Sequence, residues 1–228
     1  MNDLFHRSKE IILENQSPTG AYLACPSFPT YRYSWYRDGS FIAYAMDLVG
    51  EAQSAARFHD WAAANIIKRA DVVEKAIERV NQGEELRSED ILHTRYTVEG
   101  EPASEEWPNF QMDGFGTWLW ALGEHGRINQ VTISDDWLHA SNLVADYLTA
   151  LWDQPCSDCW EEFPDQTHPH TLAAIYGGLV AHEGMNGIDH GLLLKDLRNF
   201  IFEQAVSKNH FVKFNGYEGC LLYTSDAA

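Results

Sequence analysis

Glu161 and Glu162 stand side by side, with Trp160 before them and Phe163 and Pro164 after. Paired acids on a solvated helix face are ordinary. Apolar neighbours change the chemistry, because they disfavour the charged carboxylate and lift its pKa. A carboxyl kept protonated near neutral pH can serve as a general acid. Taken alone, the stretch reads first as a capping acid pair at the start of the helix-like run that follows.

Two other stretches hold unusual residues. In Tyr31-Arg32-Tyr33-Ser34-Trp35-Tyr36-Arg37-Asp38-Gly39, an Arg and an Asp adjoin among aromatics, just before an apolar helix. An Arg has five N–H donors and an Asp accepts, so the pair can fork onto the vicinal hydroxyls of a sugar. An N-cap Asp38 salt-bridged to Arg37 explains the acid but not the surrounding rings. In Trp107-Pro108-Asn109-Phe110-Gln111-Met112-Asp113-Gly114, Asp113 either caps the next helix or meets a ligand. The residues leave those two readings even. Cys156-Ser157-Asp158-Cys159 has the spacing of a redox pair or half a zinc site. A zinc site needs a second pair and a thioredoxin-like site needs a preceding strand. Neither is present, so the cysteines read as thiols of a reducing compartment, with no metal and no cofactor expected.

The elements that must place these stretches are helical. Leu4 to Leu13 is amphipathic and stops at Gln16-Ser17-Pro18-Thr19-Gly20. Residues 21–38 are irregular and aromatic, and a structureless run of this length in a compact domain is usually functional. Ser40 to Leu48 is a helix, and Glu51 to Val80 reads as one long amphipathic helix after a break at Gly50. Residues 82–106 form a polar irregular or β insertion in which Ile91 to Val98 alternates weakly. Helices follow at Gly114 to His125, Asp135 to Leu151 with Ser134 as cap, Thr171 to His182 and Leu192 to Val206. There is no βαβ alternation and no Gly-rich phosphate loop. Helices joined by loops of unequal length predict an all-α barrel of helical hairpins.

The chain has 228 residues, of which 45% are hydrophobic and 22% charged, as expected of one soluble globular domain. Its net charge of -18 argues against nucleic acid and against anionic membrane surfaces, which need clustered Lys and Arg. Eight Trp and 13% aromatics supply flat faces for sugar rings, although most must be core fillers. Neither a signal peptide nor a membrane-length apolar run is visible, so the expected location is cytoplasmic.

In order and spacing, the three stretches resemble glycoside hydrolase family 15, the glucoamylases and glucodextranases. Tyr31, Trp35, Arg37 and Asp38 match its first motif. Trp107, Gln111, Asp113 and Gly114 match the second, and Trp160, Glu161 and Glu162 the third. The resemblance covers roughly residues 4–219. It implies an all-α, (α/α) six-hairpin toroid with the pocket at one end, and an inverting, exo-acting hydrolase releasing glucose from non-reducing ends of α-glucans or α-gluco-oligosaccharides. Glu161 would be the general acid. Arg37 and Asp38 would hold the terminal glucose, Tyr31, Trp35 and Trp107 would wall the pocket, and Glu162 would bind the next sugar. The family's general base lies farther downstream than this chain runs. Residues 1–219 are therefore expected to be the N-terminal part of one catalytic domain, little active by itself, with apolar faces left exposed. Residues 220–228 read as a non-native tail. The competing expectation is a non-catalytic carbohydrate-binding or regulatory relative.

Overall fold

The computed structural model describes residues 2–217. The expected tail at 220–228 and the domain end at 219 lie outside the described residues. Eight helices are described: α1 (Asn2–Glu14), α2 (Tyr36–Leu48), α3 (Ala52–Ile67), α4 (Ala70–Gln82), α5 (Asp113–Asn129), α6 (Asp135–Leu151), α7 (Pro169–Asn186) and α8 (Gly191–Gln204). Two short antiparallel ribbons accompany them: β1 (Ser34–Trp35) with β2 (Arg95–Tyr96), and β3 (Val206–Ser207) with β4 (His210–Phe211).

The helices form an inner and an outer row. α5 lies between α2 and α7, while α3 and α4 pack on α6 and α8 on α7. A helix with neighbours around it must be apolar on most sides, and α7 has Glu183 as its one Asp, Glu, Lys or Arg. α4 instead alternates apolar and charged residues with helical period and shows its charges to solvent. One apolar core runs through the chain from Ala21 to Val212, with Tyr36, Phe58, Phe115, Trp118 and Tyr147 fully buried at its centre. On the inner row, Phe41 and Leu48 of α2 and Val180 of α7 are exposed.

The tightest crossing, between α5 and α7, depends on glycine. A Cβ at Gly116 would lie 2.4 Å from the Ala174 carbonyl oxygen, and one at Gly178 2.5 Å from the Gly116 oxygen. Both obstacles are backbone and cannot rotate away. Gly116→Ala is therefore expected to destabilise the chain by ~1–3 kcal/mol through overpacking. Gly177, one position away, faces open space. There the same change should stabilise by up to ~1 kcal/mol, because Ala is the better helix former. Urea unfolding of the two variants checks the sign of each.

The structure corrects three boundaries. The helix expected over Glu51 to Val80 is two helices, broken at Lys68 and Arg69. Arg69 donates to the Gly100 carbonyl at 2.6 Å and covers the Tyr96 ring at 4.3 Å. These long-range contacts override a local helical pattern. α2 begins at Tyr36 rather than Ser40, so Arg37 and Asp38 belong to its first turn. Val206 lies in β3, not at the end of α8. The Ser134 cap is present, its hydroxyl accepting from the Trp137 amide at 3.2 Å.

Between α6, α7 and α8 sits a buried histidine. His182 contacts Asn142 at 3.0 Å, His190 at 2.8 Å and Asn186 at 2.8 Å. Burial, with the neighbouring His190 adding, pushes its pKa down to about 4. The folded chain thus resists a proton that the unfolded chain accepts near pH 6.5. Stability from this group is full above that pH and falls as pH drops through 6.5 toward 4. The loss should reach about 2 kcal/mol, less than the roughly 3.4 kcal/mol that the whole displacement from 6.5 to about 4 would give, because water screens part of it. Urea midpoints measured from pH 7 to 4 should fall less steeply in His182→Gln than in the unaltered chain.

Candidate active site

Three inner helices bring their N-termini to one place. Arg37 of α2 donates through Nη1 to Asp113 Oδ2 at 3.0 Å, at the start of α5. His170, near the start of α7, has Nδ1 3.8 Å from the same oxygen. A buried carboxylate at a helix N-terminus is favoured by the partial positive charge there. Asp113 is wholly buried, so it neither meets a ligand nor caps by its side chain; its task is to hold Arg37.

The loops between these helices are knitted by backbone hydrogen bonds. The Tyr36 amide donates to Thr94, that of Thr94 to Asn109, and that of Ser157 to Phe110. The polar insertion is thereby tied to the first two motif stretches, and the second stretch to the loop that carries the third. In its β1–β2 ribbon, Trp35 pairs directly with Arg95.

Glu161 is held in a turn, not at a helix start; α7 begins eight residues later, at Pro169. Asp158 builds the turn. Its Oδ1 accepts the amides of Trp160 at 2.9 Å and Glu162 at 3.0 Å, and its carbonyl accepts that of Glu161 at 2.9 Å. Glu161 takes φ of 67°, a left-handed conformation uncommon outside glycine. Such a local cost persists where the surroundings fix it, and functional sites are common among such places.

The carboxylate surroundings also differ from expectation. Trp160 and Phe163 are 61% and 42% exposed, so they do not bury the acid. The indoles that reach it are Trp35 and Trp107, whose Nε1 atoms donate to Glu161 Oε1 at 3.1 and 2.8 Å. Gln111 Nε2 approaches the same oxygen at 3.4 Å, while its own Oε1 accepts from Arg37 at 3.0 Å. One carboxylate oxygen is thus occupied by three N–H donors. The other oxygen, Oε2, takes none of these three.

Behind the two indoles lies Arg95, a residue that the sequence did not mark. Its side chain is 1% exposed, with the guanidinium 4.0 Å from the Trp107 ring, 4.5 Å from Tyr33 and 5.4 Å from Trp35. Cation–π contact of this kind strengthens when water is excluded. Burial pulls its pKa down against the pull of Tyr33, Glu105 and Glu161. Lys213 is the second unmarked residue. It follows β4, is nearly buried, lies 4.8 Å from the Phe163 ring and pairs with Glu162. Burial works against its charge, but Glu162 and Asp158 outweigh it and the pKa is raised.

A cleft of about 190 Å³ gathers Tyr31, Trp35, Arg37, Asp38 and Glu161, with Cys159 and Trp160 at its edge. Five of the seven residues singled out in the sequence therefore share one opening. Trp107 stands just behind it, 6.0 Å from Trp35 between ring centres, and Glu162 is turned to Lys213. Asp38 is the third residue of α2 and not its cap. Its Oδ2 lies 3.8 Å from Arg37 Nε, beyond hydrogen-bond reach, which leaves the carboxylate to other partners. Partial burial raises its pKa, Arg37 opposes this, and Glu161 adds to it. Cys156 and Cys159 are both pushed up to about 12 by burial, so they stay protonated and unreactive. Among the described residues, neither belongs to a cluster able to hold a metal ion.

The cleft thus sets a carboxyl and an Arg–Asp pair against flat rings, an arrangement suited to a neutral polyhydroxy ring. No helix among the described residues is long and apolar enough to cross a membrane. The chain is similar to several known proteins. Isomaltose glucohydrolase of Kribbella flavida is 40% identical over 182 residues, which is 79% of this chain and 47% of that protein. A glycosidase solved as a Glu-to-Ala variant in complex with glucose superposes with a TM-score of 0.89 at 34% identity, over 96% of this chain and 61% of its own. A glucoamylase from Saccharomycopsis fibuligera shares the fold at a TM-score of 0.65 and 16% identity, over 88% of this chain and 47% of its own. The chain spans about half the length of the curated relative and somewhat more of the glycosidase. Its inner and outer helical rows are an arc of the glucoamylase-like (α/α) toroid. With the sequence model of glycosyl hydrolases family 15 matching residues 2–197, the chain belongs to that family.

Proposed function

We propose that the chain carries the acid side of the active site of an inverting, exo-acting glycoside hydrolase. Its substrates would be α-glucans or α-gluco-oligosaccharides, cut to glucose from the non-reducing end. The observation that carries this reading is the convergence of Glu161, Arg37, Asp38, Tyr31 and Trp35 on one cleft. Arg37 and Asp38 hold hydroxyls of the terminal sugar while the rings face its apolar side. Glu161 Oε2 gives its proton to the glycosidic oxygen as the bond to the anomeric carbon breaks. A water attacks that carbon from the opposite face and hands a proton to a second carboxylate, ~6.5–9.5 Å from the first in inverting enzymes. We place that base in a later segment of the barrel, beyond the described residues. Trp107 backs the pocket wall against Trp35, and Glu162 borders the next sugar.

The relative that acts on isomaltose makes an α-1,6-linked glucose disaccharide the first substrate to try. The test uses the gene extended through a complete barrel, with isomaltose and maltose, and follows anomeric protons by NMR. β-Glucose should appear first. α-Glucose as the first product would exclude inversion, and release of longer oligosaccharides from dextrin would exclude exo action. Sugar binding without any release would favour the non-catalytic relative.

A further inference from the structure

At the far ends of α2 and α5, away from the cleft, three buried groups meet that the proposed hydrolysis does not use. Asp47 stands one residue before the end of α2, His59 is inside α3, and His125 lies in the last turns of α5. They are 3%, 0% and 2% exposed. One ligand-type atom from each lies within 4.8 Å of the others. His125 Nδ1 is 2.9 and 3.0 Å from the two Asp47 oxygens, and Asn129 Nδ2 is 2.8 Å from Asp47 Oδ1. The His59 ring centre is 5.1 Å from that of His125, and Trp137 packs against both.

His59 is the anomaly. Both of its nitrogens are buried, and neither has a hydrogen-bond partner. An imidazole always presents at least one N–H, and leaving a buried polar atom unpaired is costly enough that folded proteins rarely do so. Packing alone would be served by Phe or Leu at that position.

We propose that Asp47, His59 and His125 bind one divalent transition-metal ion of the zinc class. Two imidazoles and one carboxylate are a donor set for such an ion, with a fourth position left to water. Calcium and magnesium, which prefer oxygen donors, fit the two nitrogens poorly. α2 and α5 end here together, as the Asp47, His125 and Asn129 contacts show. Their C-terminal partial negative charges favour a cation at this spot. Asn129 orients Asp47, and the Trp137 indole, tied to Asp60 at 2.8 Å, walls the site. Such an ion ties α2, α3 and α5 at the end of the inner row opposite the cleft, so its role is structural and does not depend on the proposed hydrolysis.

The chain is stripped with a chelator, dialysed against equimolar Zn²⁺ and analysed for bound metal. One zinc per chain is expected, with a higher thermal midpoint that the chelator reverses. His59→Leu removes no hydrogen bond and keeps an apolar side chain in place. It should remain folded by circular dichroism, bind no zinc and melt alike with and without the metal. Asp47→Asn, of the same shape, should also lose the ion. With Co²⁺ the visible spectrum should show ligand-field bands without thiolate charge transfer. Failure of the unaltered chain to retain zinc overturns the site, as does equal zinc in His59→Leu or a thiolate band, which would assign the metal to cysteine. A water molecule satisfying His59 would give no metal dependence at all and overturns it equally.

Discussion

In the barrel-complete protein, Glu161→Gln is expected to lower glucose release from isomaltose by ~10²–10⁴-fold, the range for loss of a general acid. The side chain keeps its shape and one acceptor oxygen. The donors Trp35, Trp107 and Gln111 all converge on Oε1, so the Gln carbonyl can occupy that place with its amide where Oε2 stood. Affinity for sugar should hold and kcat should fall, which marks an interaction made only in the transition state. A second substrate separates proton donation from mere positioning. α-Glucosyl fluoride departs as fluoride and needs far less acid help, so the variant should hydrolyse it with a much smaller loss. Equal losses on both substrates would remove Glu161 from the role of proton donor. Glu162→Gln serves as contrast. It weakens the pair with Lys213 and touches no group on Oε1 of Glu161, so its effect should fall on stability or KM.

The sequence carried much of this site because its parts are local. An Arg beside an Asp before an apolar run, and a Trp ahead of two acids, are patterns within ten residues. Most helices were legible for the same reason, since their apolar patterns repeat within a few turns, as in α5, α6 and α7. What escaped is non-local. Arg95 lies in a polar insertion that resembles surface, and its burial comes from rings at positions 33, 35 and 107. Lys213 acquires meaning only when the β3–β4 ribbon returns it to Glu162. The break at Arg69 depends on a carbonyl thirty-one residues away.

The environment of Glu161 is not the one that its sequence neighbours suggested. The adjacent Trp160 and Phe163 drew attention as apolar flanks, yet both face outward. The turn was nonetheless readable: Asp158, which Cys156 and Cys159 overshadowed, has the side chain that most readily accepts amides two and four residues ahead. Its carboxylate and the left-handed φ at Glu161 fix the backbone, while the two indoles and Gln111 fix the side chain. Arg95, stacked behind both indoles, makes the acid's position depend on the insertion between the first two motifs. Rigid support of this kind is what a group that must meet a bond within a fraction of an ångström requires.

Arg37→Met is the second substitution expected to act strongly, and it should act twice. Arg37 is 15% exposed and faces Asp113, which is wholly buried, with Oδ1 unpartnered and Oδ2 on the guanidinium. Removing one member of a buried pair strands the other charge, at a typical cost of ~3–5 kcal/mol. The α5 N-terminus offsets part of this, so the lower end is expected. Separately, the sugar loses the charged donors proposed to hold its hydroxyls. Bonds to charged groups are worth ~1.5–3 kcal/mol each, or about 10- to 150-fold in kcat/KM. The two effects come apart in the double variant Arg37→Met with Asp113→Leu. Replacing an entire buried pair by apolar groups is often neutral, so stability should return while sugar binding stays lost. Denaturant midpoints and isomaltose kinetics measured on the same two proteins decide it. If the double variant regained both, Arg37 would serve only the fold. If the single variant were as stable as the parent, the Asp113 pair would contribute nothing, and the convergence of the three helix N-termini would need another explanation.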